Sequence, residues 1–142
     1  MTDPGLLGHV DLVVTSLERS LPFYRALMDQ LGGLEESEVE GERGETIHYL
    51  SVKGRPGALG LRDKQSDEHN VPYDRYGVGV HHVALNAPSR DVVDAVATWL
   101  QQASAPIENA PREYDYSPGY YAVFFHDPDW LKLEVVHRPR GE

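Results

Sequence analysis

Aliphatic and polar residues alternate in three short stretches that lie far apart in the chain: HVDLVV from His9, HVALNA from His82 and LKLEVV from Leu131. Strict alternation marks a half-buried strand, because successive side chains leave opposite faces. Val10, Leu12 and Val14 then share one face, and His9 and Asp11 take the other. In the second stretch Val83 and Leu85 oppose His82, Ala84 and Asn86, and His81 should face away from His82 and serve packing. In the third, Leu131, Leu133 and Val135 oppose Lys132, Glu134 and Val136. Each stretch thus turns one potential metal ligand away from its aliphatic face. Two imidazoles and one carboxylate are the parts of a site that leaves positions open on a divalent ion.

Between these stretches the apolar period changes. Leu17, Leu21, Tyr24, Leu27, Met28 and Leu31 recur at three- and four-residue spacings, which predicts an amphipathic helix closed by Gly32 and Gly33. Pro22 lacks an N–H and clashes with the preceding turn, so the main helix is expected to start with Ser20 near its cap and Pro22 in its opening turn. Strands are predicted at 34–40, 46–52 and 58–62, separated by the turn sequences GERG and KGRPG. Residues 64–79 are polar, carry Pro72 and two glycines and read as a linker.

The order then starts again. A strand at 80–87 precedes a helix at 89–103, with Ser89 as N-cap and Val92, Val93, Val96, Ala97 and Leu100 as its buried stripe. A strand near 107–113, the loop YDYSPG and a hairpin of YYAVFF and LKLEVVH around HDPDW complete the second half. One element order used twice implies an internal duplication. The expected class is α+β, with a first βαβββ module at about residues 6–63, a linker at 64–79 and a second module at about 80–138. His9 and His82 open the two halves, 73 residues apart, and Glu134 joins His82 if the last strand pairs beside the strand that carries it.

Composition narrows the chemistry. The 142 residues suit one domain, and their net charge of −10, without a basic face, argues against a nucleic-acid partner. The acidic run EESEVEGERGE reads as a solvated hairpin. No apolar run approaches the roughly 20 residues that span a bilayer. The N-terminal stretch lacks the basic and apolar regions of a signal peptide, so a cytoplasmic address without membrane association is expected. With no cysteine, thiolate ligands and nucleophiles are excluded, and any metal is held by nitrogen and oxygen.

The element order, HVALNA followed by a helix, and the terminal GYYAVFFHDPDWLKLEVVH together resemble the vicinal oxygen chelate superfamily. That group holds glyoxalase I, fosfomycin-resistance enzymes, extradiol dioxygenases and bleomycin-resistance proteins. The resemblance covers nearly the whole chain. It implies two βαβββ modules forming a cupped mixed sheet with helices on its outer face. It also implies a divalent metal (Fe, Mn, Zn or Ni) on His9, His82 and Glu134, a small-molecule substrate and a homodimer. Two positions depart from the family pattern. Trp130 stands where glycine usually follows D-P-D, at a turn position that favours positive φ, so the turn is expected to differ. ALGLRD offers Leu61 or Arg62 where glyoxalase I has a fourth, carboxylate ligand.

Other residues carry competing readings. A lone strand histidine is more often structural than a ligand, and only the three matching positions together favour the metal. Asp11 and Asn86 share the ligands' face and either orient a water or a substrate hydroxyl or serve the sheet. His48 is a possible general base, His126 a turn stabiliser, and His69 and His137 are expected to be exposed. Of the adjacent pair Tyr120 and Tyr121, one should enter the core and the other should donate a hydrogen bond to a metal-bound oxygen. Arg112 is a candidate for an anionic substrate group. The functional expectation is a metal-dependent lyase, isomerase or dioxygenase. Its rivals are a metal-free protein of the bleomycin-resistance type that sequesters a cationic ligand, and an interaction domain that kept the fold alone.

Overall fold

The structure is a computed structural model that describes residues 3–66 and 73–139; His69 lies outside them. The chain divides into two compact units, Met1–Asn70 and Val71–Glu142. The first holds β1 (Val10–Val14), α1 (Leu17–Leu31), β2 (Leu34–Glu40), β3 (Thr46–Val52) and β4 (Leu59–Asp63). The second holds β5 (Val83–Asn86), α2 (Arg90–Gln102), β6 (Ile107–Tyr114), β7 (Tyr120–His126) and β8 (Lys132–His137). Each is a βαβββ module with a four-stranded mixed sheet, ordered β1-β4-β3-β2 in the first and β5-β8-β7-β6 in the second.

The parallel pair in each sheet follows from the helix inserted after the first strand, since parallel strands need a crossover connection. β1 runs beside β4 with Asp11 opposite Gly60, and β5 beside β8 with Ala84 opposite Glu134. The helical period buries Leu21, Tyr24, Leu27, Met28 and Leu31 of α1, which packs on β2, β3 and β4. Leu50 and Leu61 are fully buried in the same module. In α2 the buried stripe is Val93, Val96, Ala97 and Leu100, against β6, β7 and β8. Burying each such leucine contributes about 2 kcal/mol.

Three local expectations change. α1 is continuous from Leu17, with Ser16 rather than Ser20 as its cap: the Ser16 hydroxyl accepts from Arg19 N at 3.3 Å. A second acceptor, the Asp63 carboxylate, takes the Leu17 N–H at 2.7 Å, so two of the orphan donors at this terminus are satisfied before Pro22 is reached. Ser20 instead is buried inside the helix, its hydroxyl without a partner among the described residues. β5 begins at Val83, shorter than the stretch 80–87. Residues 80–81 are held by side-chain bonding instead, the Tyr73 hydroxyl donating to the Val80 and His81 carbonyls. His137 is half-buried, Nδ1 3.1 Å from the Ala87 carbonyl, because β8 extends to it beside the end of β5.

In the hairpin between β7 and β8 Trp130 itself takes the left-handed conformation, with φ 67°. The Asp127 carboxylate accepts from the Asp129 and Leu131 amides, both at 2.8 Å, and Trp130 N donates to the Asp127 carbonyl at 2.9 Å. Left-handed backbone at a non-glycine residue costs about 1–2 kcal/mol, which these bonds offset. His126 packs its ring on Trp130 at 5.2 Å and lies 3.3 Å from the Trp130 carbonyl, the turn-stabilising place expected for it.

Candidate functional site

β8 is the reason a carboxylate can be buried in the second module. It lies between β5 and β7, so both of its edges are paired, and Glu134 is 2 % exposed. A buried carboxylate demands partners. Glu134 has two: Oε1 stands 3.0 Å from His82 Nε2, and Oε2 accepts from the Tyr120 hydroxyl. The parallel register sets the first contact, for Ala84 sits opposite Glu134 and its methyl leaves room for His82, two residues upstream, to reach across. The antiparallel β7–β8 pairing sets the second, placing Phe124 opposite Glu134 and Tyr120 further along the same face.

Tyr120 and Tyr121 part as alternation requires. Tyr120 turns to Glu134, whereas the Tyr121 hydroxyl donates to Asp94 of α2 at 2.7 Å and its ring lies under Arg90. Burial, reinforced by the hydrogen bond to Glu134, pushes the Tyr120 phenol well above its ordinary range, so it remains a proton donor. His81 does not turn away. Because regular strand begins only at Val83, alternation does not extend back to it, and His81 Nδ1 lies 2.8 Å from His82 Nδ1. Desolvation first, then repulsion from the side of His82, Lys132 and Arg75, lowers the His81 pKa and favours its neutral ring.

A cavity of about 430 Å³ opens on this group within the second module. His81, His82, Tyr120 and Glu134 form one part of its lining, and Asn109, Arg112 and Lys132 another. Tyr114, Tyr116 and Phe124 supply aromatic walls. The sequence points to Arg112 and Tyr120 but not to Asn109, Phe124 or Lys132. The signal that would have found Asn109 is Pro111, since proline inside a strand marks an edge or a bulge. The β6–β7 register does shift between Ile107 and Asn109 and again between Asn109 and Arg112. Those irregularities bring Asn109, Arg112 and Tyr114 to one cavity although strict alternation would separate the first two. Lys132 is steadied by Glu108, which also holds Arg75 at 2.7 Å and His126 at 3.0 Å. Arg75 first, then Lys132, draw the Glu108 carboxyl down to a pKa of about 2.

In the first module His9 precedes β1 as His82 precedes β5, yet its surroundings differ. His9 is exposed, its ring edge-on to Tyr49 at 5.2 Å and its Nε2 3.9 Å from Asp11. Asp11 is paired with Arg62 at 2.5 Å and accepts from the Tyr49 hydroxyl at 3.3 Å, while Arg62 also meets Glu45 at 3.1 Å. By register, the counterpart of Glu134 is neither Leu61 nor Arg62 but Gly60, opposite Asp11. His48, one residue before Tyr49, contacts Glu36 at 3.2 Å, and Glu36 in turn holds Arg25 of α1, so this histidine serves the helix side. Asn86 is exposed at the end of β5. Neither module by itself gathers, among its described residues, three His, Asp or Glu side chains that could hold one ion. The second brings two together.

The model of the glyoxalase/bleomycin resistance protein/dioxygenase superfamily matches residues 6–135. The chain belongs to this superfamily. It is 27% identical to the uncharacterized protein YqjT of Bacillus subtilis (strain 168) over 135 residues, 92% of this chain and 97% of that one. It shares its fold with the glyoxylase/bleomycin resistance protein/dioxygenase domain from Frankia sp. EAN1pec, at a TM-score of 0.78 and 21% identity over 97% of this chain and 95% of that chain. Lactoylglutathione lyase from Agrobacterium tumefaciens superposes at a TM-score of 0.61, with 23% identity over 95% of each chain. As a superfamily member, the chain shows the two βαβββ modules, and among its described residues no helix is long and apolar enough to cross a membrane.

Proposed function

We propose that this superfamily member is a divalent-metal-dependent enzyme acting on a small substrate that chelates through vicinal oxygens, with His82, Glu134 and His9 as the protein ligands. The observation that carries the reading is the 3.0 Å separation of His82 Nε2 and Glu134 Oε1 on a carboxylate that is only 2 % exposed. An imidazole nitrogen beside a carboxylate oxygen is a donor set of the kind that would hold a divalent ion. When bound, an ion with two neutral imidazoles and one carboxylate keeps positive charge and supplies Lewis acidity toward the substrate's oxygens.

The chain's own residues have separate tasks. Glu134, fixed by Tyr120, presents Oε1 while its other oxygen stays satisfied. His81 and His82 meet Nδ1 to Nδ1 at 2.8 Å, and with the shared proton on His82 its Nε2 is the nitrogen free to ligate. Tyr120, held protonated, spends its O–H on Glu134 Oε2 and so positions that carboxylate. Tyr121 is assigned to α2 and not to chemistry. Lyase, isomerase and oxygenase chemistry all use such a centre, and the fold does not choose among them. A homodimer forms part of the same proposal, and sedimentation at 15.9 kDa alone would reject it.

Elemental analysis of protein purified without chelator or affinity-tag metal tests the reading. About one divalent ion per chain is expected, with loss in His82→Ala. No ion under metal-replete conditions rejects the enzyme and leaves a metal-free binding module. One observation favours that second reading: with the shared proton on His81 Nδ1 instead, His82 Nε2–H donates to Glu134 Oε1 while Tyr120 satisfies Oε2, so the buried carboxylate does not require an ion to remain folded.

A further inference from the structure

Chelation accounts for one part of the second module's cavity and leaves the other unexplained. That other part is cationic in a chain whose net charge is −10. The Arg112 guanidinium lies 4.0 Å from the Tyr114 ring centroid and forms no ion pair among the described residues. Its sequence neighbour Glu113 is engaged elsewhere, with Arg90. Lys132 has a carboxylate partner, Glu108, but that single carboxylate is shared with Arg75 and His126, so positive charge remains in excess. Lys132 Nζ also stands over the Phe124 ring at 4.8 Å. Two cations therefore rest on aromatic faces at the wall of one cavity, a placement that keeps each charged group fixed and, at Arg112, leaves the guanidinium donors unspent.

Backbone irregularity carries the argument further. An undisturbed β6 would send Asn109 and Arg112 to opposite faces, and the register shift between them brings both to the cavity. Bulges that re-aim a side chain recur beside binding sites. The wall that Arg112 leans on is a run of rings: Tyr116 stacks parallel on Tyr114, with centroids 5.4 Å apart and an interplanar angle of 3°, and meets Tyr120 edge-on at 5.2 Å. Tyr116 is 70 % exposed, so a large ring is held at the rim where a planar guest would stack on it. The Tyr114 hydroxyl in the same wall is buried with no partner among the described residues, one more polar group that the protein alone does not satisfy.

We propose that this part of the cavity binds the carboxylate of an aromatic acid, with Arg112 as its fork and Lys132 as a second cation, and the ring of the acid against Tyr116. The substrate class is then an aromatic carboxylate whose vicinal oxygens point to His82 and Glu134. The second half of that statement rests on the chelating function proposed above; the first half does not, and it is tested without metal. A guanidinium suits the assignment because its planar pair of donors matches the two oxygens of a carboxylate. Asn109, an uncharged donor and acceptor in the same lining, discriminates among ring substituents and adds no charge.

The test uses the full chain, stripped of metal with a chelator, and three probes: benzoate, its neutral isostere benzamide, and inorganic phosphate. Binding is followed by calorimetry and by shifts in the amide spectrum at residues 109–124. Benzoate is expected to bind at least about tenfold more tightly than benzamide, as loss of a charge-assisted pair implies. It should also outcompete inorganic phosphate, which has the charge without the ring. Arg112→Gln should erase the preference for benzoate, and Arg112→Lys should keep part of it. Equal binding of benzoate and benzamide by the unmodified chain overturns the proposal, as does full benzoate affinity in a folded Arg112→Gln. Phosphate binding as tight as benzoate overturns the aromatic half. If Arg112→Gln does not fold, the benzoate-to-benzamide ratio of the unmodified chain decides. A chain that prefers benzoate yet holds no divalent ion would keep this inference and remove the metal reading, so the two failures are separable.

Discussion

Corresponding positions of the two modules exchange a carboxylate between strands. In the second module β5 contributes the small Ala84 and β8 the carboxylate Glu134; in the first β1 contributes the carboxylate Asp11 and β4 the small Gly60. The space is filled once in each case, by an acidic side chain from one strand over a residue of minimal size on its neighbour. What differs is the company. Glu134 is buried and bonded to a histidine and a phenol. Asp11 is neutralised by Arg62, which is itself shared with Glu45. A duplicated frame thus yields one half with a carboxylate oxygen facing a histidine, and another whose carboxylate is committed to an arginine.

The largest effect should come from the second module. Glu134→Ala leaves His82 and Tyr120 without their shared buried partner and is expected to cost about 3 kcal/mol. Urea denaturation reads this, and a cost below that of an exposed substitution would show that the pair carries no stability. Gly60→Ala in the first module should cost about 2 kcal/mol. A Cβ there would stand 2.5 Å from Tyr49 Cε1 and closer still to Asp11 Oδ1, which Arg62 holds in place. Combining it with Asp11→Ala should recover part of that loss, since the double variant reproduces the small side chain of Ala84; an additive double variant would break the comparison.

The smallest effect is a pH dependence common to both modules. Glu36 on β2 is held below its ordinary range by Arg25, and Glu108 on β6 is lowered from 4.5 to about 2, by Arg75 first and Lys132 second. A carboxyl whose folded pKa is depressed stabilises the folded state above its unfolded pKa, and that contribution disappears as pH falls through the folded value. Both contributions should therefore be intact above about pH 5, and that of Glu108 should be lost as the pH approaches 2. The groups are partly solvated, so each is expected to contribute about 1 kcal/mol or less. Glu108→Gln should flatten the acid limb of a stability–pH curve more than Glu36→Gln does, and the reverse order would reject the assignment of the stronger cationic setting to the second module.

Much of this was legible in the chain and some of it could not be. The helical periods of Leu17–Leu31 and of Val93, Val96, Ala97 and Leu100 stand in the order of residues, because periodic burial is a local property. So do the hairpin at 35–45 and the Ser89 cap. Alternation selected His82 and Glu134 but misassigned His81, since a strand's first residue is decided by its neighbour and not by its own pattern. The Ser16 cap was hidden because its strengthening partner, Asp63, is 46 positions away from Leu17.

Alone, then, the residue order determined two copies of one βαβββ arrangement, which strand faces are apolar and which of them carry imidazole and carboxylate. These follow from periods of two and 3.6 residues, written in nearest neighbours. Only the tertiary structure decided that Tyr120 and not Tyr121 meets Glu134, that Gly60 and not Arg62 is the counterpart of Glu134, and that a register shift in β6 turns Arg112 to the cavity. Each of those depends on how one strand is slid along another. A slide of one residue changes every partner while leaving the pattern of either strand untouched.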